Sequence, residues 1–325
     1  MSSMSFRLLL PLLLVLSTAA REARAWGFLA HRRINHLAVY TLPEPMRSFY
    51  KRHQGYVTEA APNPDKRRNQ DPLEAPRHYI DLDVRAFADS FLVRKRPSWT
   101  PAVAHYTEDT LNHYGTVPWQ IRLTCIRLTE AFKNHNWDQV LYQSAELGHY
   151  ASDANVPLHT CENYDGQMTG QRGIHTLWES RLPEQFYANY VFLPGKASYV
   201  ADINDRAWTA VFETHRGLDS VLRFEREVSA RIPVEQKTTV SEKGNRITRI
   251  YTQEFSAAYH ELLHGQVERR MTASIKFVGD LWYTCWMDAG QPELPTEMGP
   301  EPPANPEPTP PAKGPGKPVM KREEE

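Results

Sequence analysis

Two pairs of metal-ligating side chains at helical spacing constrain this chain more than any other feature. They lie in Glu146-Leu-Gly-His149-Tyr-Ala-Ser-Asp153-Ala-Asn-Val-Pro-Leu-His159 and Gly173-Ile-His175-Thr-Leu-Trp-Glu179, where His149 and Asp153 stand four residues apart, as do His175 and Glu179. Side chains at i and i+4 leave one face of a helix, so each pair converges on a common point. With His159 the two stretches supply five donors, more than a single ion uses, and the pattern implies a zinc cluster.

The ends of the chain read differently from its body. Residues 1–25 are predicted to be a signal peptide: Arg7 precedes the apolar run Leu8–Leu16, and Ala23-Arg24-Ala25 forms a cleavage site. The run is shorter than the roughly 20 residues a spanning helix takes. The expected product is a secreted or periplasmic protein beginning at Trp26. Residues 291–325 hold 11 of the 25 prolines and almost nothing to bury, which predicts a disordered Pro-rich tail. Between them, residues 26–290 are expected to form one catalytic domain. Removing a signal segment of +2 and a tail of −3 from the whole-chain charge of −1 leaves that domain neutral. A protein that grips polynucleotide phosphates usually carries a basic excess, which is missing.

Apolar residues recur at helical spacing over 30–41, 119–132, 137–154 and 256–286, with prolines punctuating the gaps. The strand signals are Lys237–Val240 and Arg246–Tyr251 around Glu242-Lys-Gly-Asn245, a hairpin outside the site. The expected fold is mainly α, a single helical domain with one small β-hairpin. Cys125, Cys161 and Cys285 allow at most one internal disulfide, and their spacing identifies no pair.

Trp26-Gly-Phe-Leu-Ala-His31 places an imidazole five residues after the expected free amine. An α-amine with a pKa near 8 loses its proton to a metal at little cost and can chelate together with its own carbonyl. His31, one helical turn on, would add a further ligand.

At this point the chain resembles the superfamily of zinc-dependent bacterial phospholipases C and fungal single-strand-specific nucleases, most nearly the phospholipase C family. The resemblance covers most of residues 26–290 and rests on Trp26, His31, Asp65, His78, His149-x3-Asp153-x5-His159 and His175-x3-Glu179. It implies a shared ligand scheme. Asp65, His78, His149 and Asp153 would hold one zinc, His159, His175 and Glu179 a second, and the Trp26 backbone, His31 and a bridging Asp153 a third. Asp71, Asp81 and Asp83 compete with Asp65 in sequence and read as loop carboxylates.

The implied chemistry is phosphodiester hydrolysis by a metal-bound hydroxide, because zinc lowers the pKa of bound water to about 7. Asp65 and Asp153 would be the catalytic carboxylates, Asp65 orienting or deprotonating the water. Glu179 and the short interval from His159 to His175 resemble the phospholipase branch. Arg68, three residues after Asp65, resembles a nuclease arginine and is the candidate substrate contact. The neutral domain favours a phospholipid substrate and a peripheral membrane contact; single-stranded nucleic acid is the alternative, and no protein partner is expected. Tyr79 and Trp178 receive no substrate role, since aromatics beside ligands are more often core. A rival from another class is His260-Glu261-Leu262-Leu263-His264, which fits the zinc-peptidase pattern on a predicted helix but lacks a third ligand at a recognisable spacing. A closed, purely structural metal site is the remaining alternative.

Overall fold

The computed structural model describes residues 27–68, 70–243, 246–298 and 303–304. The expected signal segment, Trp26 and residues 305–325 lie outside them. The fold is mainly α, with one two-stranded antiparallel hairpin. Among the described residues seven helices reach ten residues or more: α1 Phe28–Ala38, α2 Val117–Lys133, α3 Trp137–Asp153, α4 Ile203–His215, α5 Leu218–Ser229, α6 Gln253–Leu262 and α7 Gln266–Asp288. None is long and apolar enough to cross a membrane.

α3 is the central element. Asn136 starts it by accepting from the Gln139 amide (3.2 Å), the cap that satisfies an otherwise unpartnered first-turn donor. From Ser144 to Asp153 every residue of α3 is buried, so its polar side chains must find partners inside the protein. α1 and α2 pack on α3, and α7 lies against all three. α1 meets the bundle through Ala30, Ile34 and Ala38, a stripe at the four-residue spacing of one helix face. Around α7 the core is aromatic: Tyr50 stacks on Trp282 at 4.8 Å, and the Trp282 indole donates to the Ser144 carbonyl (3.0 Å).

The continuous helix expected over 256–286 is in fact two. His264 and Gly265 adopt φ of +47° and +75°, a left-handed step that ends α6 and that glycine allows at no steric cost. Apolar periodicity resumes in phase after the break, which is why it does not reveal it. The hairpin pairs β1 Thr238–Lys243 with β2 Arg246–Tyr251 in the register Thr238↔Tyr251.

The ordered body also runs past residue 290. Leu294 is buried, the Trp286 indole donates to the Pro292 carbonyl (3.1 Å) and Arg52 donates to the Pro295 carbonyl (2.7 Å). Proline lacks an N–H but keeps its carbonyl, and these carbonyls meet donors on the body. All three cysteines are buried; Cys285 and Cys125 are neighbours, the Cys285 thiol donating to the Cys125 carbonyl (3.5 Å).

Candidate metal centre

The centre forms around the C-terminal end of α3, where His149 and Asp153 face inward. α1 lies across this end and brings His31. The short helix Asn63–Arg67 brings Asp65, and the 3-10 turns Ala75–His78 and Pro157–Thr160 bring His78 and His159. His175 and Glu179 come from one helical stretch that begins as the α-turn Ile174–Thr176 and continues as a π-turn, Leu177–Arg181. All are buried except His175, whose side chain is 17% exposed and marks the side of the cluster open to solvent.

Four donor atoms form a compact set. His78 Nδ1 lies 2.9 Å from Asp153 Oδ2, 3.0 Å from His149 Nε2 and 3.6 Å from Asp65 Oδ1. His149 Nε2 lies 3.2 Å from Asp153 Oδ2 and 3.8 Å from Asp65 Oδ1. Tetrahedral zinc with bonds of roughly 2.0–2.2 Å sets neighbouring donors about 3.4 Å apart, so this spacing suits one ion. The other oxygen of Asp153 turns away, 3.5 Å from His31 Nε2. His31 Nε2 is also 3.8 Å from Asp65 Oδ2. A separate three-donor group brings His175 Nε2 and His159 Nε2 to 3.0 and 3.4 Å from Glu179 Oε2.

Hydrogen bonds behind the histidines determine which ring nitrogen faces the centre. Carbonyls only accept, so His149 Nδ1 donates to Ala61 (3.0 Å) and His159 Nδ1 donates to His78 (2.8 Å). Ser152 Oγ donates to the His149 carbonyl (2.7 Å) and therefore accepts from His31 Nδ1 (2.9 Å). All three rings thus turn Nε2 inward. His78 is reversed: Nδ1 faces the donor set, and Nε2 faces Glu74 Oε1 at 3.4 Å. Glu74 is fully buried and also accepts from Tyr150 (2.5 Å) and Arg77 (2.7 Å), while Arg67 spans Glu74 and Glu146. This supporting set is missed by ligand spacing alone, although Glu74, four residues before His78, repeats the interval of the ligand pairs.

The electrostatics are those of groups that could hold a cation. Burial raises the Asp65 carboxyl, offset only in part by His149 and His78. Burial also opposes ionisation of Asp153 and Glu179, yet both are held well below the carboxylate range, Asp153 chiefly by His149 and His159, Glu179 chiefly by His175 and His159. Burial and the neighbouring His149 pull His31 down. His78 would likewise be pulled down by burial, but the carboxylates of Asp153 and Glu74 on either side of its ring reverse this and hold it at about 9. Both Asp65 oxygens, Asp153 Oδ1, Glu179 Oε2 and His31 Nε2 have no hydrogen-bond partner. An orphaned buried polar atom costs about 1–3 kcal/mol, and ions held among these atoms would satisfy all of them.

The remaining sequence candidates fall as follows. Trp26 lies outside the described residues; Gly27, directly after it, is buried with its amide donating to Ser180 Oγ (3.1 Å), beside Glu179. Arg68 reaches the cluster edge, Nη1 3.8 Å from Asp65 Oδ1. Asp71 instead accepts from the Leu73 amide, and Asp83 from the Glu162 amide. Trp178 is core, its indole donating to Gln266 (3.0 Å). The His260 to His264 pattern does not share a helix face: His264 lies beyond the end of α6, and His260 stacks on Phe186 and pairs with the Tyr190 hydroxyl (2.9 Å).

No protein-family model matches the chain, and no curated protein matches it. The class of protein therefore rests on the fold and the site: a mainly α chain in which several buried His, Asp and Glu groups could hold metal ions.

Proposed function

We propose that the chain is an exported, zinc-dependent phosphodiester hydrolase of the phospholipase C type that carries three zinc ions. One observation carries the reading: Asp153 offers Oδ2 to the set of Asp65, His78 and His149 and Oδ1 to His31, while His159, His175 and Glu179 form a further group alongside. Bound zinc would supply Lewis acidity and lower the pKa of water to about 7.

The chain's own part is positional. Asp153 sets the separation of the two positions it joins. Three protein donors would leave a bound zinc a position for substrate, and His175 is the part-exposed member of that group. Asp65, with Arg68 at its side, is the carboxylate that would orient and deprotonate the attacking water. Arg68 offers a guanidinium to the phosphate oxygens. Once the expected signal peptide is removed, the Trp26 amine and carbonyl would join His31 and Asp153 as the residues that hold the third ion. The neutral charge of 26–290 favours a phospholipid over a polynucleotide. Arg68, reaching Asp65 from three residues away, supports the second reading: a single-strand-specific nuclease or 3′-nucleotidase on the same cluster.

The test is hydrolysis by zinc-loaded protein beginning at Trp26, with phosphatidylcholine and single-stranded DNA assayed in parallel and a chelator control. Chelator-sensitive release of diacylglycerol alone supports the phospholipase C reading. Release of nucleotides alone moves the protein to the nuclease branch, and hydrolysis of neither substrate refutes both.

A further inference from the structure

His175 stands in the first turn of its helical stretch, where main-chain amides have no acceptor within the helix. Asp165 provides for them from eight and ten residues upstream: Oδ2 accepts from the Gly173 amide (3.0 Å) and Oδ1 from the His175 amide (3.2 Å).

The loop that carries Asp165 is closed on itself. Asn163 Oδ1 accepts from the Met168 amide (2.8 Å), and the Gly166 carbonyl accepts from the amides of Thr169 (3.1 Å) and Gln171 (2.9 Å). Gln171 then fastens the loop to the body, donating to the Leu222 carbonyl (2.7 Å) and to Glu225 Oε2 (2.5 Å). Glu225, fully buried on α5, is itself fixed by Tyr251 (3.1 Å), Ser229 (2.9 Å) and Lys237 (2.7 Å). A rigid path therefore runs from α5 and the base of the hairpin to the backbone of His175.

We infer that Asp165 is the positioning residue of the second metal group: its carboxylate, held by this loop, fixes the His175 backbone and so aims Nε2 at the point shared with His159 and Glu179. The inference rests on reading those three residues as a metal group. A carboxylate suits the role because it accepts from two amides at once and its charge matches the start of a helix. Asparagine offers a single acceptor oxygen, and alanine none.

The experiment counts zinc bound to the full chain after equilibration against a series of zinc buffers. It compares the wild type with Asp165→Asn, Asp165→Ala and His175→Ala, and thermal unfolding at saturating zinc reports on the fold. Asp165→Ala is expected to affect the same equivalent that His175→Ala removes, shifting its midpoint about 10–100-fold toward higher free zinc, as is typical when a supporting partner of a ligand is lost. Asp165→Asn should fall between, and the other equivalents should keep their wild-type midpoints. Should the alanine variant not fold, the asparagine variant carries the test. Wild-type zinc curves in the folded variants overturn the inference, as does an equal weakening of every equivalent. A wild-type chain that binds no zinc refutes the metal reading itself, a result distinct from either.

Discussion

Gly148→Ala tests how α1 and α3 are held at the distance the cluster requires. In an unobstructed helix this substitution stabilises by about 1 kcal/mol. Here a Cβ on Gly148 would lie 2.0 Å from Asn35 Oδ1, whereas ordinary contact begins near 3.4 Å. Asn35 cannot simply yield, because it is fully buried and its amide donates to the carbonyls of Val57 (3.1 Å) and Ala145 (3.3 Å). Either α1 retreats by more than an ångström or those hydrogen bonds break. Overpacking costs about 1–3 kcal/mol, and each buried group left unpaired costs about the same. Against the gain in helix propensity we expect a net loss of about 1–4 kcal/mol. At about 2–4 °C per kcal/mol for a domain of this size, the midpoint should fall by roughly 2–16 °C. His31 lies one turn before Asn35 on α1, so the same movement lengthens its 3.5 Å approach to Asp153, and zinc shared by those two residues should weaken first. Calorimetry with and without zinc reads both effects. Gly55 is the internal control: a Cβ there meets nothing within 4 Å, so Gly55→Ala should stabilise by about 0.5–1 kcal/mol. A Gly148→Ala protein as stable as the wild type, with a full zinc complement, would refute this account of the helix contact.

Three further outcomes follow from the centre. Asp153→Asn keeps the shape but removes the charge that serves two positions, so two zinc equivalents should be lost together by elemental analysis; unchanged zinc content refutes the bridging assignment. In the metal-free chain His78 is held at about 9, so at pH 7 zinc must displace its proton. Isothermal titration in buffers of different ionisation enthalpy should then detect about one proton released at this ligand, with affinity rising about tenfold per pH unit up to about pH 9, and a heat independent of buffer refutes this. The same raised value means that the stability His78 gives the metal-free chain is fully present below about pH 6.5 and is lost as pH rises through about 9. Finally, His260→Ala should leave zinc content unchanged while His149→Ala reduces it; the opposite pattern would restore the peptidase reading.

The long helices were legible because their apolar stripes recur at 3.6 residues, and the ligand pairs because a helix puts i and i+4 on one face. What periodicity does not register is a change of backbone that keeps the pattern in phase. The left-handed step at His264 and Gly265 is one case, and it also removes His264 from the helix on which the peptidase pattern depends. The π-turn through Leu177–Arg181 is another: it widens the helix where Glu179 is delivered, yet His175 and Glu179 still meet at 3.0 Å. The short 3-10 turns that present His78 and His159 carry too few residues to show any period. Composition likewise misreads 291–298, because a proline-rich stretch with one buried leucine can dock through carbonyls that no composition count weighs.

The cluster exposes a deeper limit. A ligand is recognisable in sequence because its side chain does the coordinating, but the aim of that side chain is set from behind. For His149 and His159 the aiming group is a main-chain carbonyl, of Ala61 and of His78, and a carbonyl is present at every residue, so it leaves no trace in the sequence. His31 is aimed by Ser152, whose own hydroxyl is directed by the carbonyl of His149. His78 differs from these three in that its ring is backed by a carboxylate, Glu74, and that difference has a physical consequence. The Glu74 carboxylate behind the His78 ring and the Asp153 carboxylate in front of it stabilise its protonated form. At His78 a metal ion and a proton therefore compete, and proton release there reports on the carboxylate behind the ring as well as on the metal in front.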